Sequence, residues 1–309
     1  MKFVHAIPSS ASLLLLVSAL GACDKTPPPP PPDTARATTT AAAEAKPGEK
    51  TGGTVRASGS SALQPLVNAA KEKFEAEKKG ASIELSAGGS KKGLADVSSG
   101  AVQIGNSDIF APEDLKASLV DHRVAVVGFA AMANKGTYNE KVAAVSLADL
   151  AKVFQGTIKD WKELGGQPQP IVVINRAPGS GTRTVFGNAV LGGDKFVESK
   201  TEDNSGALVD KLKQTKGAIS YLALSFKDDA LLTLSIKGDA GVVEPTDANI
   251  TSGAYPVWSY EHMYTKGEAT GLTKDFLDFV VSPAFQTGGL TKVKGFVAIT
   301  AMKVTKEKD

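Results

Sequence analysis

The sequence has little of what several specialised protein classes need. One cysteine in 309 residues leaves no intramolecular disulfide and no multi-cysteine metal site. Lys and Arg total 35 against 33 Asp and Glu, and this balance lacks the basic excess with which nonspecific nucleic-acid binders neutralise phosphates. We therefore expect no nucleic-acid partner. With 42% hydrophobic residues, however, the chain has enough apolar material for a globular protein of more than one domain.

Recognisable catalytic motifs are also missing. The stretch Gly179-Ser180-Gly181 lacks the Gly-x-Ser-x-Gly elbow of serine hydrolases, and neither glycine turn fits the phosphate-loop pattern of NTPases. His122 and His262 stand in no catalytic setting and are predicted to be surface or packing residues. No group of histidines or carboxylates in the sequence has metal-ligand spacing. The sequence therefore predicts a protein that is not an enzyme and has no cofactor or metal.

The N-terminus carries the pattern of an export signal. Met1-Lys2 is followed by an apolar run too short to cross a bilayer of about 30 Å as a helix, which favours a cleaved signal. Leu20-Gly21-Ala22-Cys23 resembles a bacterial lipobox, where cleavage leaves the cysteine as a lipid-modified N-terminus. We predict a lipoprotein signal peptide over residues 1–22 and a membrane anchor on Cys23, facing the periplasm or cell exterior. A plain secretory signal with an incidental cysteine is the alternative.

A tether is predicted to follow the lipidated cysteine, over residues 23–52. Residues 24–52 hold no Val, Ile, Leu, Met, Phe, Tyr or Trp, so they cannot bury enough apolar surface to order themselves. Six consecutive prolines from Pro27 to Pro32 favour an extended, semi-stiff chain. The segment is typical of a spacer that holds a domain away from a membrane, and folding is expected to begin near Gly53.

From Gly53 onward, strand patterns alternate with helix patterns, as in parallel sheets with helical crossovers. Three times a strand pattern runs into a turn containing glycine and serine and then into a helical pattern, at residues 58–61, 88–90 and 176–182. Serine and glycine suit any such turn, because serine caps helices and glycine permits tight bends. Three together favour a different interpretation. In open α/β sheets the carboxyl ends of strands face the ligand crevice, and helix N-termini attract anions.

These turns therefore predict a nearly charge-free cradle for a small anion. Arg176 follows a strand pattern and can offer a planar fork of donors. Asp108 also ends a strand pattern, and a carboxylate in an anion site makes sense only if the anion carries a proton.

At this point the sequence resembles the phosphate-binding proteins of bacterial Pst-type ABC importers, from about Gly53 to the C-terminus. The matching motifs stand in the family's order: Gly59-Ser60-Ser61-Ala62-Leu63, Gly88-Gly89-Ser90, Ile104-Gly105-Asn106-Ser107-Asp108, Arg176 with Gly179-Ser180-Gly181-Thr182, and Gly217-Ala218-Ile219-Ser220-Tyr221-Leu222. The resemblance implies an α/β fold of the type II periplasmic binding protein class, with a ligand cleft between two lobes. It also implies capture of inorganic phosphate for the permease and ATPase subunits of an ABC importer.

The resemblance further implies which residues bind phosphate. The set comprises Ser60, Ser61, Ala62, Ser90, Asp108, Arg176, Ser180, Gly181 and Thr182. Hydroxyls and the amides of Ala62 and Gly181 would donate to phosphate, Arg176 would pair with it, and Asp108 would accept its proton. Many relatives have an acidic residue two positions after the arginine, where this chain has Pro178.

The lobe boundaries are expected where the chain crosses between lobes. The apolar run from Val124 to Ala133 predicts the outgoing strand, and the region from Tyr255 to Tyr264 the return. Lobe 1 would then comprise residues 53–131 plus 256–309, and lobe 2 residues 132–255. The aromatic residues of the return are expected to pack in the core, with a stacking platform as the alternative. Two other functions stay open: a binding protein for sulfate or molybdate, and an anchored phosphatase of related fold.

Overall fold

The computed structural model describes residues 52–308, so the predicted signal peptide, Cys23 and nearly all of the predicted tether lie outside the described residues. Within them the strands are β1 (Gly53–Gly59), β2 (Ala81–Ala87), β3 (Ile104–Ser107), β4 (Leu119–Asn134), β5 (Ala144–Val145), β6 (Val172–Arg176), β7 (Lys200–Glu202), β8 (Ala218–Ala223), β9 (Leu231–Thr233), β10 (Ser235–Gly238), β11 (Gly241–Val243), β12 (Trp258–Lys266) and β13 (Phe296–Val297).

Helices connect most of these strands. They are α1 (Gln64–Glu77), α2 (Ser90–Ser99), α3 (Glu113–Lys116), α4 (Leu147–Phe154), α5 (Gly181–Leu191), α6 (Ser205–Gln214), α7 (Asp247–Thr251), α8 (Gly271–Val281) and α9 (Pro283–Gly288). No helix of the described part is both long and apolar enough to span a bilayer.

The main sheet has the strand order β2-β1-β3-β12-β4-β8-β6-β7, with β9 and β13 paired to β4 beside this path. Strand β4 is long enough to serve both ends of the sheet. Its residues up to Gly128 pair antiparallel with β12, while those from Phe129 to Ala133 pair antiparallel with β8. The outgoing apolar run therefore belongs to one continuous strand that changes neighbours midway. A separate small sheet has the order β11-β10-β5.

The apolar patterns of the sequence locate the core. On α1, the buried side chains recur at helical spacing and are Leu66, Val67, Ala70 and Phe74. Residues 124–127 and 129–133 of β4 are buried along both faces, as a strand covered on two sides requires. Pro65 lies in the first turn of α1, where its missing N–H costs no helical bond.

The parallel pairings decide where the turns meet. Strands β1, β2 and β3 run parallel, so the turns that follow them lie at one edge. Strands β6, β7 and β8 are likewise parallel to one another. Helix α2 begins three residues after the end of β2, α6 begins three residues after the end of β7, and α5 begins five residues after the end of β6. In both parts of the sheet, helix N-termini therefore lie next to the carboxyl ends of parallel strands.

Candidate functional site

The structure brings all nine predicted site residues into one buried cluster. Those that follow β1, β2 and β3 form what we call the first wall: Ser60, Ser61, Ala62, Ser90 and Asp108. Those that end β6 or begin α5 form the second wall: Arg176, Ser180, Gly181 and Thr182. Direct hydrogen bonds join the two walls, so the cluster is closed to solvent.

Ser60 organises the first wall. Its hydroxyl oxygen accepts hydrogen bonds from the amides of Ala62 at 3.0 Å and Leu63 at 3.3 Å, and its proton goes to Asp108 Oδ1. All three hydrogen-bonding positions of this hydroxyl are therefore occupied within the protein. Ser60 caps the turn that leads into α1 and fixes the carboxylate of Asp108.

Asp108 directly follows β3 and contacts both walls. Its Oδ2 accepts a hydrogen bond from the Thr182 hydroxyl at 2.8 Å, and its amide donates to Ser90 Oγ at 2.9 Å. The carboxylate is 1% exposed, and Arg176 is the cation whose charge acts on it across the cluster. Because Ser90 accepts from this amide, its own hydroxyl proton remains available to a ligand.

Arg176 is held by backbone carbonyls. Its Nε donates to Glu202 O at 3.1 Å, and its Nη2 donates to Asp203 O at 2.8 Å and to Ser61 Oγ at 3.2 Å. Pro178 is exposed, so the position two residues on contributes nothing to this arrangement. The turn after β7 thus orients the guanidinium without an acidic partner beside it in the sequence.

One end of this guanidinium is left without a partner. Among the described residues, Nη1 of Arg176 has no hydrogen-bond acceptor although the side chain is 1% exposed. Burial lowers the pKa of Arg176, and the charge of Asp108 opposes that shift. Arginine nevertheless stays protonated in proteins, and a buried cation with an unsatisfied donor is costly. An anion bound here would supply both the acceptor and the charge.

The walls meet most closely at two glycine-containing turns. The amide of Lys91 donates to the carbonyl of Gly179 at 3.1 Å. A Cβ placed on Gly181 would overlap Ser90 Oγ and lie 2.9 Å from Asp108 Cβ. Gly181 is the first residue of α5, and Ser180 caps that helix by accepting from the amide of Arg183 at 3.3 Å. The absence of a side chain at Gly181 therefore permits the walls to touch.

Sequence reasoning missed one member of the cluster, Ser205. It is fully buried at the start of α6, and its hydroxyl lies 2.9 Å from that of Ser61. Strand β7, which precedes it, is three residues long and mostly exposed, so no apolar strand pattern announces the turn. The available signal is Asn204-Ser205-Gly206, in which Asn204 caps the helix.

The remaining candidates lie outside the cluster. His262 is fully buried, with Nδ1 2.7 Å from Asp121 Oδ1 and its ring packed on Phe110 and Tyr264. Trp258 and Tyr260 are buried as well, so the aromatic stretch packs in the core and offers no stacking platform. Within residues 52–308, no group of three or more His, Cys, Asp or Glu could hold a metal ion.

A family model described as a PBP superfamily domain matches residues 44–284. The phosphate-binding protein PstS of Bacillus subtilis is 49% identical over 268 residues, which cover 85% of this chain and 86% of that protein. The phosphate-binding protein PstS of Staphylococcus saprophyticus is 24% identical and covers 82% of this chain and 83% of its own length.

Solved structures show the same likeness. One is a Clostridium perfringens protein, solved with bound phosphate and assigned as a phosphate ABC transporter substrate-binding protein. It is 30% identical with a TM-score of 0.74, and the match covers 80% of this chain and 100% of that chain. An ABC-type phosphate transport receptor of Vibrio cholerae is 19% identical with a TM-score of 0.63, covers 79% of this chain and 99% of its own, and supports the fold alone.

Proposed function

The chain belongs to the PBP superfamily and, within it, to the PstS family of phosphate-binding proteins, and from this premise we propose that it captures inorganic phosphate and delivers it to an ABC importer. One observation carries the assignment. A single buried cluster holds an arginine with an unpartnered donor and a carboxylate, contributed by opposite walls. The two-lobe PBP fold provides such walls.

The cluster has the donors and the acceptor that a protonated phosphate needs. Arg176 Nη1, the hydroxyls of Ser90 and Ser180, and the amide of Gly181 would donate to phosphate oxygens. Asp108 would accept the proton of the phosphate, exchanging one of its present hydroxyl donors for it. Thr182, which now bonds to Asp108, would turn its proton to the anion, and Ser61 would hold the Arg176 guanidinium in place. Ser60 and Ala62 would act by shaping the turn and fixing Asp108.

The carboxylate favours phosphate over sulfate or molybdate. At neutral pH phosphate carries at least one proton and sulfate carries none, although the two are similar in size. An ionised Asp108 accepts from a phosphate hydroxyl but meets only lone pairs on sulfate, and an unpaired like-charge contact in a buried site is unfavourable. The seryl hydroxyls and amides serve either anion equally, so Asp108 would make the distinction.

We propose lobe 1 as residues 53–131 plus 256–309 and lobe 2 as residues 132–255. The change of β4 from pairing with β12 to pairing with β8 supports a crossing close to these bounds. The first wall would then belong to lobe 1 and the second wall to lobe 2. Since the cluster is buried, phosphate would enter and leave through a separation of the lobes.

We also propose that Cys23 is acylated and anchors the protein outside the cytoplasm, where its relatives' function in import requires it. Cys23→Ser should either release the protein in soluble form or leave the signal uncleaved, with phosphate binding by the folded part unchanged. Partitioning of wild type and variant into a detergent phase measures this. Identical partitioning would contradict the anchor without touching the binding function.

The anion that copurifies with the protein tests the function directly. Protein purified without added phosphate should release close to one phosphate per chain on denaturation, as read by a molybdate colour assay and by native mass spectrometry. Release of sulfate or molybdate instead would assign another oxyanion. Turnover of a chromogenic phosphomonoester would support a phosphatase, and this activity is expected to be absent.

A further inference from the structure

Ser205 lies in the cluster, although no strand pattern in the sequence before it predicts this position. Asn204 caps α6 by accepting hydrogen bonds from the amides of Gly206 at 2.8 Å and Ala207 at 3.1 Å. The cap leaves the amide of Ser205, at the first helical position, free to point out of the helix. That amide donates to Ser61 Oγ at 3.2 Å, so the N-terminus of α6 abuts the first wall.

Donor and acceptor counting fixes the direction of the hydroxyl bond between Ser61 and Ser205. Ser61 Oγ receives Arg176 Nη2 at 3.2 Å and the amide of Ser205 at 3.2 Å, and both of these groups can only donate. A hydroxyl oxygen has two acceptor positions, and these bonds fill them. Ser61 must therefore donate its proton to Ser205 Oγ, 2.9 Å away.

This direction leaves the Ser205 proton unused. Within residues 52–308, the hydroxyl of Ser61 is the one hydrogen-bond partner of Ser205 Oγ, and Ser205 is the acceptor in this bond. Ser205 is 0% exposed, so bulk solvent does not reach its proton. A buried hydroxyl donor is normally paired, and Arg176, which bonds to the same Ser61 hydroxyl through Nη2, has an unpaired donor at Nη1. Two unused donors, on side chains that both bond to Ser61, point to one shared acceptor.

We propose that Ser205 is a further ligand-contacting and positioning residue of the phosphate site, and this rests on the proposed function. Its hydroxyl donates to the anion that Arg176 binds, while its amide holds Ser61 in place. The anion would thus meet the N-termini of three helices, α2, α5 and α6, which are 10, 11 and 10 residues long.

The turn after β7 links Ser205 to Arg176. Glu202 and Asp203 supply the carbonyls that bind the guanidinium, and Ser205 follows within two residues. The carboxylate of Glu202 in turn accepts from the amides of Asp203 at 3.0 Å and Asn204 at 3.2 Å and pairs with Lys211, whose hydrogen bond lowers the Glu202 pKa. One braced turn therefore presents a cation and a hydroxyl together.

The test is phosphate titration of Ser205→Ala, with Ser225→Ala as the matched control. The Ser225 hydroxyl also contacts the first wall, because it donates to the carbonyl of Ala62 at 3.1 Å. It makes no hydrogen bond to the Ser61 hydroxyl or to Arg176. Because a hydrogen bond to a charged group is worth about tenfold or more in affinity, Ser205→Ala should bind phosphate roughly tenfold more weakly, through faster dissociation. Ser225→Ala should stay within about twofold of the wild type.

Three readouts separate this role from simple support of the fold. The phosphate-free melting temperature of Ser205→Ala should fall by only a few degrees, because Ser61 loses one acceptor, while its shift on adding phosphate shrinks. Ser61→Ala and Ser205→Ala should be non-additive, because they share one hydrogen bond. If Ser205→Ala does not fold, Ser205→Cys, which keeps the side-chain size but is only a weak donor, carries the same prediction.

The outcomes are distinguishable. A wild type that does not bind phosphate overturns the proposed function and this inference together. A wild type that binds phosphate, with unchanged affinity and dissociation rate in Ser205→Ala, overturns the inference alone. Equal weakening by Ser205→Ala and Ser225→Ala also overturns it, since any hydroxyl bridge would then serve.

Discussion

The two walls of the cluster use similar turns but carry opposite charges. The first wall contributes the carboxylate of Asp108, and the second contributes the guanidinium of Arg176. Each charged group reaches across to a hydroxyl of the other wall: Asp108 accepts from Thr182, and Arg176 donates to Ser61. The comparison shows that serine and glycine turns build the enclosure. We propose that one carboxylate and one guanidinium, set on opposite walls, select the anion and make its binding depend on closure.

Removing the positive charge should have the largest effect on this balance. Arg176→Ala is expected to weaken phosphate binding by about 2 to 5 kcal/mol, or roughly 30-fold to several thousand-fold, because a charge-assisted pair in a desolvated site is lost. Isothermal titration measures the loss, with Arg56→Ala as the control, since Arg56 is exposed outside the cluster. A loss of less than about tenfold in Arg176→Ala would place the site elsewhere.

Keeping the walls apart should rank next. In Gly181→Ala the new methyl would overlap Ser90 Oγ, whereas a Cβ on Gly179 meets nothing within 4 Å. Neither glycine has a positive φ, so alanine strains neither backbone. Overpacking of about 1 to 3 kcal/mol predicts roughly 5-fold to 150-fold weaker phosphate binding for Gly181→Ala and little change for Gly179→Ala. Equal effects of both variants would mean that contact between the walls is not required.

Neutralising the negative charge should change selectivity more than affinity. The hydroxyls of Ser60 and Thr182 donate to different oxygens of Asp108, so Asp108→Asn keeps an acceptor for one of them, and its amide can donate to an unprotonated anion. The ratio of phosphate affinity to sulfate affinity should fall by about tenfold or more. Titration of both anions against both proteins measures the ratio. An unchanged ratio would show that Asp108 only supports the first wall.

The smallest effect is expected at Pro178. Restoring an acidic residue with Pro178→Asp should change phosphate affinity by less than about threefold, because the position is exposed and the carbonyls of Glu202 and Asp203 already orient Arg176. Titration beside Pro178→Ala separates the added charge from the loss of the ring. A tenfold gain confined to Pro178→Asp would show that the carbonyls alone leave the arginine poorly placed.

The contrast between the walls also explains what the sequence could predict. Ser60, Ser90 and Ser180 lie in turns between strong strand and helix patterns, so local chemistry identified them and the parallel sheets brought them together. The continuous apolar run from Val124 to Ala133 likewise predicted a strand, and β4 extends five residues before this run and one residue after it.

The contacts that hold the second wall in place could not be predicted from local sequence patterns. Arg176 is oriented by main-chain carbonyls, which every residue possesses and which leave no trace in a residue pattern. Ser205 follows a short exposed strand, so its burial depends on the approach of Ser61 from a segment 144 residues earlier. Contacts of this kind follow from the closed arrangement of the fold and not from local sequence.

The most direct test of the account is titration of phosphate and sulfate against phosphate-stripped wild-type protein at neutral pH. If Arg176 and Asp108 select a protonated anion between the walls, phosphate should bind one site per chain at least about 100-fold more tightly than sulfate. Sulfate binding within a few-fold of phosphate, or the absence of any phosphate binding, would contradict the assignment of this cluster as a phosphate site.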